Sequence, residues 1–308
     1  MKLLYHYCSN QTLYHILKSH SLRMSDISKS NDYKELNLFF PGIFKSMKRK
    51  YREEPFPFTY KNKENTEAIE HLITESCYLW KDKFESGDFL NFVACFSERE
   101  DSLNQWRSYA DNGKGCCAGF SKALIEEYCN HSEGVVRLEK VRYISQKVLQ
   151  EKINAGGELI LQGLKKEKEQ EHEDSEIFDY LNTVIGELFI NSLAYKSDAF
   201  SEEREWRIFL SEGAYREKDL VISGSHKENQ GEKNRDTIGF LKDRIEIVAA
   251  ENDFITYCPL FFREFSENPV KELWAGPKNL ARKADLQFLI DTLNYGDCGI
   301  RFSEISYF

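Results

Sequence analysis

FSEEREWRIFL, residues 200–210, gathers more potential chemistry onto a strand-like pattern than any other part of the chain. In an extended backbone alternate residues share a face, which puts Glu203, Glu205, Arg207 and Phe209 on one side and Arg204, Trp206, Ile208 and Leu210 on the other. Two carboxylates about 7 Å apart along a strand, followed by an arginine on the same side, suit three tasks. They bind a ribose hydroxyl, hold a metal, or form an internal ion pair on a solvated face.

Working outward, the apolar run DYLNTVIGELFINSLAYK leads into this strand with helical periodicity, and KKEKEQEHEDSE before it is a charge run suited to an exposed helix face or a helix-to-helix connection. Upstream, FLNFVACFSEREDSLNQWRSYADNGKGCCAGFS reads as a buried strand over Phe92–Phe96, a short helix opened by Asp101 or Ser102 and carrying Trp106 and Tyr109, a turn at NGKG, and a strand over Cys116–Phe120. Gly113, Lys114 and Gly115 lack the spacing of a phosphate loop. The chain opens on a strand LLYHYCS. A helix follows with Leu13, Ile16 and Leu17 on one face, capped by Thr12 or Asn10, and then a strand over Leu22–Ser25. Asn31 and Asp32 then suit a turn, or a loop facing a ligand. Residues 213–235 read as loop; strands are expected at Thr237–Phe240, Leu241–Val248, Val270–Ala275 and Gly299–Ile305, with a helix over Ala281–Asn294.

The 308 residues, 41% hydrophobic and 14% aromatic, suffice for a sizeable core. With no repeats and no clear linker, the expectation is a single α+β domain over 1–308 with mostly helical insertions near 35–90 and 145–195. The eight cysteines show no C-x-x-C spacing, so neither a zinc site nor a disulfide framework is indicated, and no metal is expected. MKLLYHYCSN turns polar after four residues, and no apolar run reaches membrane-spanning length, so a cytoplasmic chain with no membrane partner is expected. A net charge of −9 argues against a generally basic nucleic-acid binder while leaving room for a local basic groove.

Six blocks, LLYHYCS, LRMSDISKSNDYKE, FVACFSERED, LNQWRSYADNGKGCCAGF, AYKSDAFSEEREWRIFL, and LWAGPKN with RFSEISYF, occur here in the order and spacing that resemble the bacterial family called domain of unknown function 2971. More distantly, the chain resembles ADP-ribosyltransferases of the His-Tyr-Glu type, especially bacterial toxins that modify nucleic acid. His6 beside Tyr5, the Leu13–Leu17 helix, the Asn31–Asp32 loop and a late Glu203 or Glu205 fall in the order of that pattern. The middle aromatic is open among Tyr109, Trp106 and Tyr143.

That resemblance implies an ADP-ribosyltransferase-like core of small mixed or antiparallel sheets, NAD as substrate, and transfer to a protein or nucleic acid, as in a toxin or defence effector. Glu205 would then face the cationic ribose, with Glu203 on the acceptor or on Arg207 and His6 on a ribose hydroxyl. Tyr109 or Trp106 would stack on the nicotinamide, and Arg23 or Arg207 would meet the pyrophosphate. Two alternatives stand beside it. One is a metal-dependent nuclease or phosphodiesterase using Glu203, Glu205 and Asp101 or Asp32. The other is a binding module that recognises a nucleotide without turning it over.

Overall fold

The chain begins with strand β1 (Leu3–Cys8), helix α1 (Asn10–Ser19) and strand β2 (Ser21–Asp26). The cap of α1 differs from expectation: the Ser9 hydroxyl accepts from the Thr12 amide at 3.0 Å, and Asn10 and Thr12 lie inside the helix. His20 closes the helix in the left-handed region at φ 47°. Leu13, Ile16 and Leu17 are buried, as their spacing predicts. The computed structural model describes residues 2–29, 39–86, 90–132, 136–211, 244–249 and 252–307. Asn31 and Asp32, the 213–235 segment and the first of the expected late strands lie outside the described residues.

Beyond β2 come α2 (Phe39–Glu53), a short hairpin of β3 (Thr59–Tyr60) and β4 (Lys63–Glu64), and α3 (Asn65–Ser86). The middle of the chain runs β5 (Asn91–Ser97), α4 (Leu103–Tyr109), β6 (Cys116–Ser121), α5 (Lys122–His131), β7 (Val136–Lys140) and β8 (Arg142–Ile144). Two long helices follow, α6 (Gln146–Glu169) and α7 (Asp174–Ser192), and the charge run straddles the turn between them. The last part carries β9 (Tyr195–Ser197), β10 (Glu205–Ser211), β11 (Glu246–Ala249), β12 (Phe254–Phe261), β13 (Val270–Ala275), α8 (Lys283–Thr292) and β14 (Gly299–Phe302). The sequence reading misses strand β12, as it does the β3–β4 hairpin and β9. In β12 Pro259 argues against a strand, yet that residue pairs opposite Arg23 within the sheet.

Among the described residues ten strands form one sheet, with β11-β12-β2-β5-β1-β6-β13-β14 in order and β10 and β7 added on the side of β5. All pairs are antiparallel except β13 with β14. One edge of β5 is taken entirely by β10. The other is shared, with β2 pairing at Ser25 opposite Val93 and β1 at Tyr5 opposite Ser97. The sheet therefore forks at Cys95.

One face of the sheet buries Leu4, Phe96, Ala118, Ile208 and Leu273 against α1, α5 and α8. The opposite face is covered by α4, where Trp106 and Ala110 meet Tyr5, Tyr7 and Cys117, and by the end of α7, where Phe189, Ile190 and Leu193 meet Phe209. Helices α2, α3, α6 and α7 build a second core of their own around Met47, Tyr51, Leu72, Ile160 and Leu181. The two expected helical insertions thus pack on each other. At NGKG the backbone turns sharply: Gly113 and Gly115 both donate to the Ala110 carbonyl at 2.9 Å, so neither amide is presented as a phosphate cradle. A Cβ on Gly115 would stand 2.3 Å from the Cys8 carbonyl oxygen, which only glycine avoids.

Candidate functional site

The strand predicted over 200–210 forms only from Glu205 onward. Asp198–Glu203 is a 3-10 turn and Arg204 is left-handed at φ 46°. Glu203 therefore does not share the strand face by alternation, as the sequence predicts. It reaches its neighbour instead because the turn folds it back, with its carbonyl accepting from the Ser97 hydroxyl at 2.7 Å. Glu205, Arg207 and Phe209 do share one face, because each pairs opposite Ser97, Cys95 and Val93 in register.

That face is not solvated. Glu203, Glu205, Arg207 and Lys196 are only 4%, 5%, 1% and 4% exposed. Lys196, delivered by β9, sits 2.6 Å from Glu203 Oε2 and 3.3 Å from Glu205 Oε2. Arg207 grips Glu205 with both edges of its fork, Nε to Oε1 at 2.7 Å and Nη2 to Oε2 at 3.0 Å, and its Nη1 donates to the Leu193 carbonyl at 2.9 Å. The sequence reading pairs Arg207 with Glu203; the register pairs it with Glu205. Tyr109 donates to Glu203 Oε1 at 2.9 Å, and the Glu205 amide donates to the Tyr143 hydroxyl at 2.8 Å. Two acids and two bases leave no net charge, and every charged group has a partner, as burial demands.

Burial pushes the Glu205 carboxyl up, but the Arg207 charge and hydrogen bonds, Lys196 and the Cys95 thiol together hold it below the ordinary carboxylate range. Burial also lifts the Tyr143 phenol to about 12. Because the folded pKa of Glu205 lies below its unfolded value, the unfolded chain binds more protons between the two. The stability from this group is complete above the unfolded pKa and is lost as pH falls through the folded one. The urea midpoint is expected to drop as pH is lowered below about 4.3, with a shallower drop in Glu205→Gln. Identical pH dependence in the two proteins would contradict this assignment.

The other predicted residues are dispersed. Tyr5, Ser97 and Glu205 form one row across the sheet, so His6, the residue after Tyr5, leaves β1 from the opposite face. Its ring turns into the fork, where Nδ1 hydrogen-bonds the Cys95 carbonyl at 2.9 Å and the ring meets Phe96 edge-on. Burial lowers its pKa. His6 thus hydrogen-bonds a backbone carbonyl at the fork, and the expected pocket shared by His6 and Glu205 is not assembled. Trp106 is fully buried, edge-on to Tyr7 with its indole nitrogen on Asp101 at 2.6 Å, so it offers no stacking surface. Tyr109, half exposed, is the aromatic that meets the acids. Arg23 lies over the Tyr257 ring at 4.7 Å on β2. A cleft of about 590 Å³ beside β13 and β14 takes in Tyr5 and no other predicted residue. Among the described residues no three His, Cys, Asp or Glu side chains are grouped to hold a metal ion, so the phosphodiesterase expectation gains no ligand set there.

A larger feature lies away from the sheet. Helices α2, α3 and the start of α6 enclose an open groove of about 1430 Å³ with Phe44, Ile73 and Trp80 among its apolar lining. Its rim carries Lys45, Lys48, Arg49, Arg52 and Lys81 against the single acid Glu53. Arg52 pairs with Glu70 at 3.0 Å, and Arg49 reaches Glu53 at 3.8 Å and Asn154 at 3.0 Å. Lys45 and Lys48 have no ion pair among the described residues. Sequence reasoning places FKSMKRKYR in a helical insertion and assigns it no site; the signal is present in it, since basic residues at 45, 48, 49 and 52 share a helix face. Lys196 carries no such signal, because no periodicity links a three-residue strand to acids across a 3-10 turn.

The molecule is an α+β protein with a mostly antiparallel sheet, a buried ion network at the sheet's fork and a basic groove on its helical side. Residues 105–208 match the family model described as Protein of unknown function (DUF2971). The matched segment contains Tyr109, Tyr143, Lys196, Glu203, Glu205 and Arg207 and the groove's α6 edge, whereas α2 and α3, which carry its facing stripes, lie outside it. No curated protein and no solved structure matches the chain.

Proposed function

We propose that this chain is a nucleotide-binding module whose ligand rests its phosphates in the groove between α2 and α3. The groove's charge carries the reading: Lys45, Lys48, Arg49, Arg52 and Lys81 line it against Glu53, and with Arg52 held by Glu70 the balance stays positive on a chain of net charge −9. Concentrating cations in one concave place raises the local density of anions and favours phosphate-bearing over neutral ligands. The buried acids supply the complementary argument. For Glu205 to face a ribose cation, or Glu203 a metal, Lys196 or Arg207 must first let go. Uncovering a buried charge costs about 3–5 kcal/mol.

Calorimetric titration of ATP and of inorganic tripolyphosphate into the protein tests this. Both are expected to bind, and the affinity of both to fall as salt rises, because the contacts are charge on charge. Absence of binding by either anion at low salt would overturn the reading.

A further inference from the structure

We infer that the ligand of this groove is single-stranded nucleic acid, held by its phosphates and by a base stacked on Tyr78; this rests on the nucleotide-binding reading above. The groove has two facing stripes of the same spacing. Lys45, Lys48, Arg49 and Arg52 run along α2 at i, i+3, i+4 and i+7, and Thr74, Cys77, Tyr78 and Lys81 run along α3 in the same pattern. Seven residues of helix advance about 10 Å, so each stripe lines a track longer than one phosphate group. One wall is therefore a row of cations. The other presents an aromatic ring with polar neighbours.

Tyr78 is the deciding residue. It is 70% exposed, two residues before Trp80, which is buried with its indole nitrogen on Asn182 at 3.0 Å. An exposed ring opposite a row of lysines and arginines is the pairing single-stranded binders use, with cations following the backbone and a ring taking a base whatever its identity. A duplex keeps its base faces stacked on one another and out of reach of Tyr78. An acidic peptide satisfies the cations and leaves the ring idle. The groove's volume, about 1430 Å³, also exceeds the roughly 300–1,000 Å³ typical of small-ligand sites. That size fits a segment of a longer chain better than a mononucleotide.

The test uses the full chain and fluorescence anisotropy with labelled twelve-nucleotide single strands of mixed sequence, one of RNA and one of DNA. Tripolyphosphate, a hairpin duplex and a polyglutamate peptide serve as competitors. Both single strands are expected to bind at least tenfold tighter than tripolyphosphate, with a salt slope of about −2 to −3 for three or four phosphate contacts. Tyr78→Ala is expected to weaken the single strands roughly five- to hundredfold and to leave tripolyphosphate unchanged, while Tyr78→Phe, which keeps the ring, retains binding. Cys77, exposed in the same stripe, is expected to alkylate more slowly with a single strand bound, which places the ligand in the groove. If Tyr78→Ala changes nothing, or polyglutamate or duplex competes as well as a single strand, the inference fails while anion binding stands. If neither tripolyphosphate nor the oligonucleotides bind, the nucleotide-binding reading itself fails.

Discussion

Lys196→Met is expected to lower folding stability by about 3–5 kcal/mol, among the largest effects of any single substitution in this chain. Lys196 is 2.6 Å from Glu203 and 3.3 Å from Glu205, with all three side chains buried. Removing it leaves Glu203 with only the Tyr109 hydroxyl and leaves the site with a net negative charge. The apolar replacement fills much of the same volume, so the loss reports the uncovered charge and not a cavity. Lys196→Met with Glu203→Gln is expected to recover part of it, since the second change removes the acid that the first exposes and Glu205 keeps its bidentate arginine. Urea unfolding of the wild type, both single variants and the pair completes the cycle. Additive losses would show that the two residues do not form one unit.

Reversing two charges in the groove has the largest expected effect on binding. Lys45→Glu with Lys48→Glu places two acids where a phosphate would rest, and like charges facing across an interface cost several kcal/mol. Affinity for ATP and for tripolyphosphate is expected to fall roughly a hundredfold or more, since each 1.4 kcal/mol is a factor of ten. Folding stability is expected to change by no more than about 0.5 kcal/mol, because neither lysine holds an ion pair among the described residues. Unchanged anion affinity would remove the groove from the account.

How far the sequence could be read depended on whether the signal was local. Leu13, Ile16 and Leu17 predict α1 because helical periodicity lies within a few residues, and alternation places Glu205, Arg207 and Phe209 on one face for the same reason. Alternation gives no burial. Which face is wet depends on what covers it: the Tyr109 side chain from α4, the Leu193 carbonyl at the end of α7 and the Lys196 side chain from β9. The 3-10 turn at Asp198–Glu203 escaped notice because SEEREWR carries a clean two-residue period through it. The position of His6 was beyond sequence reasoning altogether. It depends on β1 and β2 sharing one edge of β5, a property of the pairing and not of LLYHYCS.

The groove was legible in principle and missed in practice. Basic residues at 45, 48, 49 and 52 form a stripe on paper, but a basic stripe is ordinarily a solvated helix face. It becomes a site only because Thr74, Cys77, Tyr78 and Lys81 of α3 stand opposite, and helix pairing is tertiary information.

The measurement that separates the groove from the acid pair most directly is calorimetric titration of ATP and NAD into three proteins: wild type, Lys45→Glu/Lys48→Glu, and Glu205→Gln under conditions where circular dichroism shows it folded. The account predicts that the groove variant loses nucleotide affinity roughly a hundredfold and that Glu205→Gln binds within a few-fold of wild type. Nucleotide binding that survives charge reversal in the groove and is abolished by Glu205→Gln would contradict it, and would place the ligand at the sheet's fork.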